Sequence, residues 1–213
     1  MHGSVPRVFL ISPAKCSGLR ATVLMSSQHE LGQALRGQGA ELGAVFAFLS
    51  SLYFRGKLSY AQRFAASDLD APGVLVITPG HGLCRPSTQV RASDLTAIAG
   101  VAVDADNPAF VEPLLRDAKR LARTIPGAAE VVLLGSIATP KYVAPLLSVF
   151  AERLLFPREF VGRGDMSRGG LLLRAAREQL ELPYVPVQSS LRSGPRARPL
   201  AELKLDEPND DDA

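Results

Sequence analysis

The chain has 213 residues, 46% of them hydrophobic and 21% charged, with a formal net charge of +3. That balance belongs to a globular domain and excludes a fully disordered chain, and no apolar run approaches the ~18 residues of a membrane helix. Two cysteines exclude a disulfide framework, and with three histidines they argue against a structural zinc site.

Strand and helix signals alternate along the chain. Val8 to Ser12 is a short apolar run closed by Pro13, which predicts a buried strand. Residues 28–50 carry Leu31, Leu35, Leu42, Val45, Phe46 and Leu49 at helical spacing, and Gly37, Gly39 and Gly43 predict a helix, a break and a second helix. Residues 59–66 read as a helix, and Gly73 to Thr78 as a second buried strand. Ala109 to Thr124 is an amphipathic helix with Val111, Leu114, Leu115, Ala118 and Leu121 on one face, stopped by Pro126-Gly127. Glu130 to Leu134 is a third strand and Tyr142 to Leu155 a helix. A glycine-rich loop spans Val161 to Gly170, Leu171 to Leu182 is a helix, and Tyr184 to Val187 is a candidate fourth strand. This order predicts an α/β fold: a single domain over residues 1–188, with a mainly parallel sheet flanked by helices. Residues 189–213 turn Arg/Pro-rich and then acidic, which predicts a flexible linker and a disordered acidic C-terminal tail.

Asp206 to Ala213 holds five acids and no base, so the remainder stands near +8. Such a body favours polyanions, and nucleic acid or a phosphorylated nucleotide is the expected partner. The opening MHGSVPRVFLIS lacks a basic head before a long apolar core, so no signal peptide is expected. A cytoplasmic location with no membrane association is expected. No cofactor fingerprint or metal motif is present, and the cofactor and oligomeric state stay unknown.

In parallel sheets ligands bind beyond the carboxyl ends of the strands. Ser12-Pro13-Ala14-Lys15-Cys16 follows the first strand, and Thr78-Pro79-Gly80-His81-Gly82-Leu83-Cys84-Arg85 the second. Parallel neighbours would bring Cys16, Cys84, Lys15, His81 and Arg85 to one edge. Cys16 fits either a small buried filler or a nucleophile whose pKa a cation lowers. His81 fits a general acid or base; the glycines beside it, Gly80 and Gly82, suggest positive φ or close approach to a ligand. Lys15 and Arg85 would hold phosphate or a developing anion beside Ser12.

The loop Gly162-Arg163-Gly164-Asp165-Met166-Ser167-Arg168-Gly169-Gly170 is a second candidate anion site. Backbone N–H groups of Gly162, Gly164 and Gly169 with the charges of Arg163 and Arg168 would form a phosphate nest; a mobile surface loop is the competing reading. Tyr53-Phe54-Arg55-Gly56-Lys57 fits a helix border with rings inside and charges outside better than a base-stacking surface. Arg192 to Arg198 reads equally as a solvated linker or a polyanion contact.

LISPAK, Leu10 to Lys15, resembles the opening of the YaaA family of peroxide-stress proteins, and TPGHGLCRPSTQV, Thr78 to Val90, resembles that family's second motif. LYFRGKLSYAQRFA, Leu52 to Ala65, and Tyr142 to Leu146 look closer to a sister group of uncharacterised bacterial and phage domains. A core domain of archaeosine synthase is distantly similar in its strand-end pattern. Cys16 departs from the hydroxyl residue usual in the YaaA opening, and the archaeosine Pro-Cys and Lys-Pro-Tyr elements are absent here. The resemblance implies DNA binding, a stress response or base modification. The expected function is a nucleobase-, nucleotide- or nucleic-acid-modifying enzyme. His81, Lys15 and Cys16 would be catalytic; Ser12, Gly82, Arg85, Gly162, Arg163, Gly164, Arg168 and Gly169 would hold the substrate. The alternatives are a non-catalytic DNA-binding stress protein and a small-metabolite binding module.

Overall fold

Three five-residue strands, each with four consecutive apolar residues, form the middle of the sheet: β1 (Arg7–Ile11), β3 (Val74–Thr78) and β6 (Glu130–Leu134). Each is buried at its last four positions, so both faces are covered, as continuous apolar runs in a parallel sheet require. A computed structural model describes residues 5–50, 52–66 and 69–189. Besides these strands it contains α1 (Leu19–Ser26), α2 (Glu30–Arg36), β2 (Ala40–Glu41), α3 (Leu42–Ser50) and α4 (Leu52–Phe64) before β3. Between β3 and β6 lie β4 (Gly82–Cys84), β5 (Gln89–Val90), α5 (Ala92–Gly100) and α6 (Pro108–Thr124). After β6 come α7 (Pro140–Phe150), β7 (Leu154–Pro157), α8 (Asp165–Glu178) and β8 (Tyr184–Pro186).

The main sheet runs β4-β3-β1-β6-β7-β8. β1 is parallel to β3 and β6, and β6 to β7, while β4 and β8 close the two edges antiparallel. The fold is therefore α/β, with a mostly parallel six-stranded sheet flanked by helices. β2 and β5 form a separate two-stranded ribbon. α4 and α8 pack together over one face, where Tyr60 meets the Phe9 ring edge-on at 5.9 Å. α6 and α7 pack together over the other, as right-handed crossovers from β3 to β6 and from β6 to β7, opposite in direction to that from β1 to β3, dictate. α6 buries Phe110, Leu114, Ala118 and Leu121 along one stripe, starting from the Asn107 side chain, which caps the Ala109 N–H.

Several expected boundaries move. The helix beginning near Tyr142 ends at Phe150, because the chain turns out at Ala151 with φ 49°. Leu154–Pro157 is then a strand rather than the last turn of that helix. α8 starts at Asp165, so half of the expected glycine-rich loop is helix. Thr78 to Cys84 is a hairpin: Gly82 pairs with Thr78 and Cys84 with Val76. The Arg192 to Arg198 segment and the acidic tail lie outside the described residues. Among the described residues, no helix is long and apolar enough to cross a membrane.

Candidate functional site

The chain leaves β1 for β3 on one side and later returns to β6 on the other. The carboxyl ends of β1 and β6 therefore form the switch point where open α/β sheets bind ligands. Ser12 is the first residue past β1, and its N–H donates to the Leu134 carbonyl at 3.1 Å. Gly135 is the first residue past β6. A Cβ at Gly135 would lie 2.9 Å from Ser12 Cβ and 3.2 Å from Ser12 Oγ, so glycine is what lets the two strand ends close around Ser12.

Lys57 approaches Ser12 from α4. It is 1% exposed, and its Nζ donates to both the carbonyl oxygen and Oγ of Ser12 at 2.8 Å. The same nitrogen stands 4.4 Å from the Tyr53 ring centroid and 5.3 Å from that of Phe54. Burial disfavours the ammonium and draws its pKa down to about 7, against the pull of the Asp165 carboxylate. At neutral pH the amine is thus poised between its charged and neutral forms.

Asp165 and Arg168 come from the first turn of α8, which lies against α4. Arg168 donates to the Phe160 carbonyl from Nε at 3.2 Å and Nη2 at 3.0 Å, and its Nη1 stands 3.7 Å from Asp165 Oδ1. Its charge offsets in part the effect of burial, which raises the Tyr53 phenol above its usual pKa. Among the described residues, Tyr53 Oη is buried with no close hydrogen-bond partner, and the Arg168 side chain is the donor nearest in effect. Tyr142, near the start of α7, lies within electrostatic reach of Tyr53, and burial pushes its own phenol up to about 12. The cluster thus joins a hydroxyl, a buried amine, an arginine, a carboxylate and a buried phenol.

The expected residues divide. Ser12 and Arg168 belong to this cluster. Lys15 is exposed two residues past Pro13, and His81 is exposed at the tip of the β3–β4 turn on the same edge of the sheet. Its flanking glycines have backbone duties. Gly80 and Gly82 adopt φ 77° and 80°, and a Cβ at Gly82 would collide with the Asp117 carboxylate and lie 2.7 Å from the Pro113 carbonyl oxygen. Gly82 is therefore a packing glycine against α6, not a site for ligand approach. Cys16 is buried, donates weakly to the Ala14 carbonyl at 3.6 Å, and has its pKa raised to about 12 by burial. That is the filler reading; an activated nucleophile needs the opposite shift.

Arg85 leaves the edge altogether, because β4 runs back along β3. It lines a separate cavity of about 310 Å³ with Leu75, Leu83, Asp117 and Arg120. Cys84 is carried back with it, away from Cys16. Gly162, Arg163 and Gly164 are exposed before α8, and Arg163 Nη1 donates to Ser167 Oγ at 3.1 Å. Gly169 is buried inside α8, where a Cβ would lie 2.9 Å from Tyr53 Cα; it is a helix-contact glycine, not part of a phosphate nest. The glycine-rich nest of successive N–H groups is thus replaced by a loop and a helix turn.

Lys57 is the residue that sequence reasoning placed on the wrong side of α4. The buried positions Tyr53, Phe54, Gly56, Lys57, Tyr60 and Ala61 form one stripe, and Lys57 lies within it. Its placement at i+4 from Tyr53 and i−3 from Tyr60 was the available signal. The chain matches no protein-family model, no curated protein and no solved structure.

Proposed function

We propose that the protein is an enzyme acting on a nucleobase, nucleotide or nucleic acid in the crevice between the ends of β1 and β6. The observation that carries this reading is the buried Lys57 amine held on Ser12 at the switch point. Taking an ammonium out of water is costly, and a structural role alone is better served by an apolar side chain. Dry titratable groups poised near neutral pH cluster where proton transfer is performed. The polyanion class rests on the near +8 charge outside the acidic tail and on the resemblance of LISPAK and TPGHGLCRPSTQV to YaaA-like proteins. In this reading Lys57 exchanges a proton with the reacting group, and the exposed Lys15 and Arg163 draw in phosphate. His81 serves as a second acid or base from the neighbouring turn.

The test is nucleoside mass spectrometry of DNA and RNA from cells lacking the gene, carrying it, or carrying Lys57→Met. A modified nucleoside that needs the gene and disappears in Lys57→Met supports the reading. A gene-dependent nucleoside unaffected by Lys57→Met removes it.

The exposure of Lys15, Arg55 and Arg163 favours a second reading, non-catalytic binding of DNA through its phosphates. Affinity should then fall steeply with salt, weaken in Arg163→Ala, and be indifferent to Lys57→Met.

A further inference from the structure

The geometry points to Ser12 as a nucleophile toward a phosphate ester, with Lys57 as the acceptor of its hydroxyl proton. This deepens the proposed function and rests on it, since it takes the β1/β6 crevice as the active site.

A serine hydroxyl is a weak nucleophile unless a base stands within hydrogen-bond reach. Lys57 Nζ is 2.8 Å from Ser12 Oγ, and a second bond of 2.8 Å to the Ser12 carbonyl fixes its direction. The carbonyl accepts an N–H from the amine in either protonation state. With one N–H on the carbonyl, the neutral amine can turn its lone pair to Oγ. Ser12 itself is 6% exposed, and glycine at position 135 keeps a side-chain carbon from standing 3.2 Å from Oγ. The bond to Oγ is the contact a Ser–Lys pair requires.

Lys57 is faced from α4 by Tyr53, and from α8 by Asp165 with Arg168 paired to it. Tyr142 of α7 lies beyond Tyr53. Burial keeps a neutral amine available near pH 7. The choice of phosphorus as the electrophile follows from the polyanion class proposed above, and once Lys57 takes the proton it becomes a cation beside the reacting phosphate.

The step balances. Ser12 Oγ bonds to phosphorus as the bond from phosphorus to the leaving alkoxide or phosphate oxygen breaks. The hydroxyl proton passes to Lys57 Nζ, and the ammonium can return it to the leaving oxygen. Attack of water or an acceptor hydroxyl on the phosphoserine regenerates Ser12.

The test uses an alkyl fluorophosphonate, whose phosphorus Ser12 Oγ attacks with loss of fluoride. Intact mass and peptide mapping should show one adduct, on Ser12. Its rate should rise with pH about a midpoint near 7, the value toward which burial draws Lys57. Lys57→Met should slow labelling by about a hundredfold or more, the usual contribution of a positioned base. Ser12→Ala should take no adduct, with circular dichroism melts confirming that each variant folds. An unlabelled wild type, an adduct elsewhere, or an undiminished rate in Lys57→Met overturns the assignment. In cells, a gene-dependent nucleoside lost in Lys57→Met but kept in Ser12→Ala also overturns it, and leaves the crevice reading standing. A nucleoside kept in both variants removes both.

Discussion

Gly56 of α4 and Gly169 of α8 meet backbone to backbone. A Cβ on Gly56 would stand 2.6 Å from the Gly169 carbonyl oxygen, and one on Gly169 would stand 3.0 Å from the Leu52 carbonyl oxygen. This contact brings Asp165 and Arg168 up to Tyr53 and Lys57.

Gly56→Ala should therefore destabilise the protein, although alanine is the better helix former by about 1 kcal/mol. Overpacking at a closed contact costs about 1–3 kcal/mol and forces the helices apart. Urea denaturation of Gly56→Ala and Gly169→Ala should give lower midpoints for both. Gly170→Ala, where a Cβ meets open space, should be neutral or slightly stabilising.

The Lys57 amine gives stability a pH dependence of known sign. Its folded pKa, about 7, lies below the ordinary 10.5, so between those values the unfolded chain binds more protons than the folded one. Stability then rises with pH through this window, by at most about 1.4 kcal/mol per pH unit from this group. Lys57→Met lacks that component. The wild type should gain on the variant from pH 7 to 10, with their difference flat below pH 6. Parallel curves across pH 7–10 would show that Lys57 keeps its ordinary pKa.

Cys16 should be inert in the native state. With its pKa pushed up to about 12 and its side chain buried, almost no thiolate exists at pH 8. Iodoacetamide should leave Cys16 unmodified until denaturant is added, and Cys16→Ala should keep whatever activity the wild type has. Rapid native alkylation at Cys16 would show an open, activated thiol instead.

The β3–β4 turn separates packing from chemistry. Gly82→Ala places a side chain at φ 80° and against Asp117, whose Oδ2 accepts the Leu83 N–H at 3.0 Å. A loss of about 2 kcal/mol or more is expected, since strained backbone and overpacking combine. His81→Ala, at an exposed position, should change stability by less than about 0.5 kcal/mol. Any loss of activity in a thermally intact His81→Ala variant then reports chemistry.

The sheet centre was legible because β1, β3 and β6 are unbroken apolar runs ended by proline or glycine. β7 was not, since Leu154–Pro157 resumes the apolar character of α7 after only the short turn Ala151–Arg153. β4 has three residues and borrows its stability from α6, through the Asp117 bond to Leu83, which no local pattern announces. At the candidate site, strand-end reasoning singled out Ser12 because polarity changes sharply after Ile11. It missed Lys57, which in sequence looks like a surface cation between Gly56 and Leu58. Only its phase on α4 places it inside. Arg85 and Cys84 were misplaced because a hairpin reverses direction where a parallel reading carries the chain onward.

The position of β1 has a consequence for how the protein is made. Its first strand partner, β3, follows after more than sixty residues, and its second, β6, is reached only across a separation of 123 residues, as in the Arg7–Glu130 bond at 2.6 Å. Lys57 is only 45 residues from Ser12 and can meet it long before β6 is made. Gly135 and Arg168 join only after a further stretch of chain has left the ribosome. One edge of an apolar strand stays uncovered through that interval, a condition that slows folding and invites aggregation. Nascent chains halted before Glu130 should therefore depend on chaperones, and those released after β6 has emerged should depend on them far less.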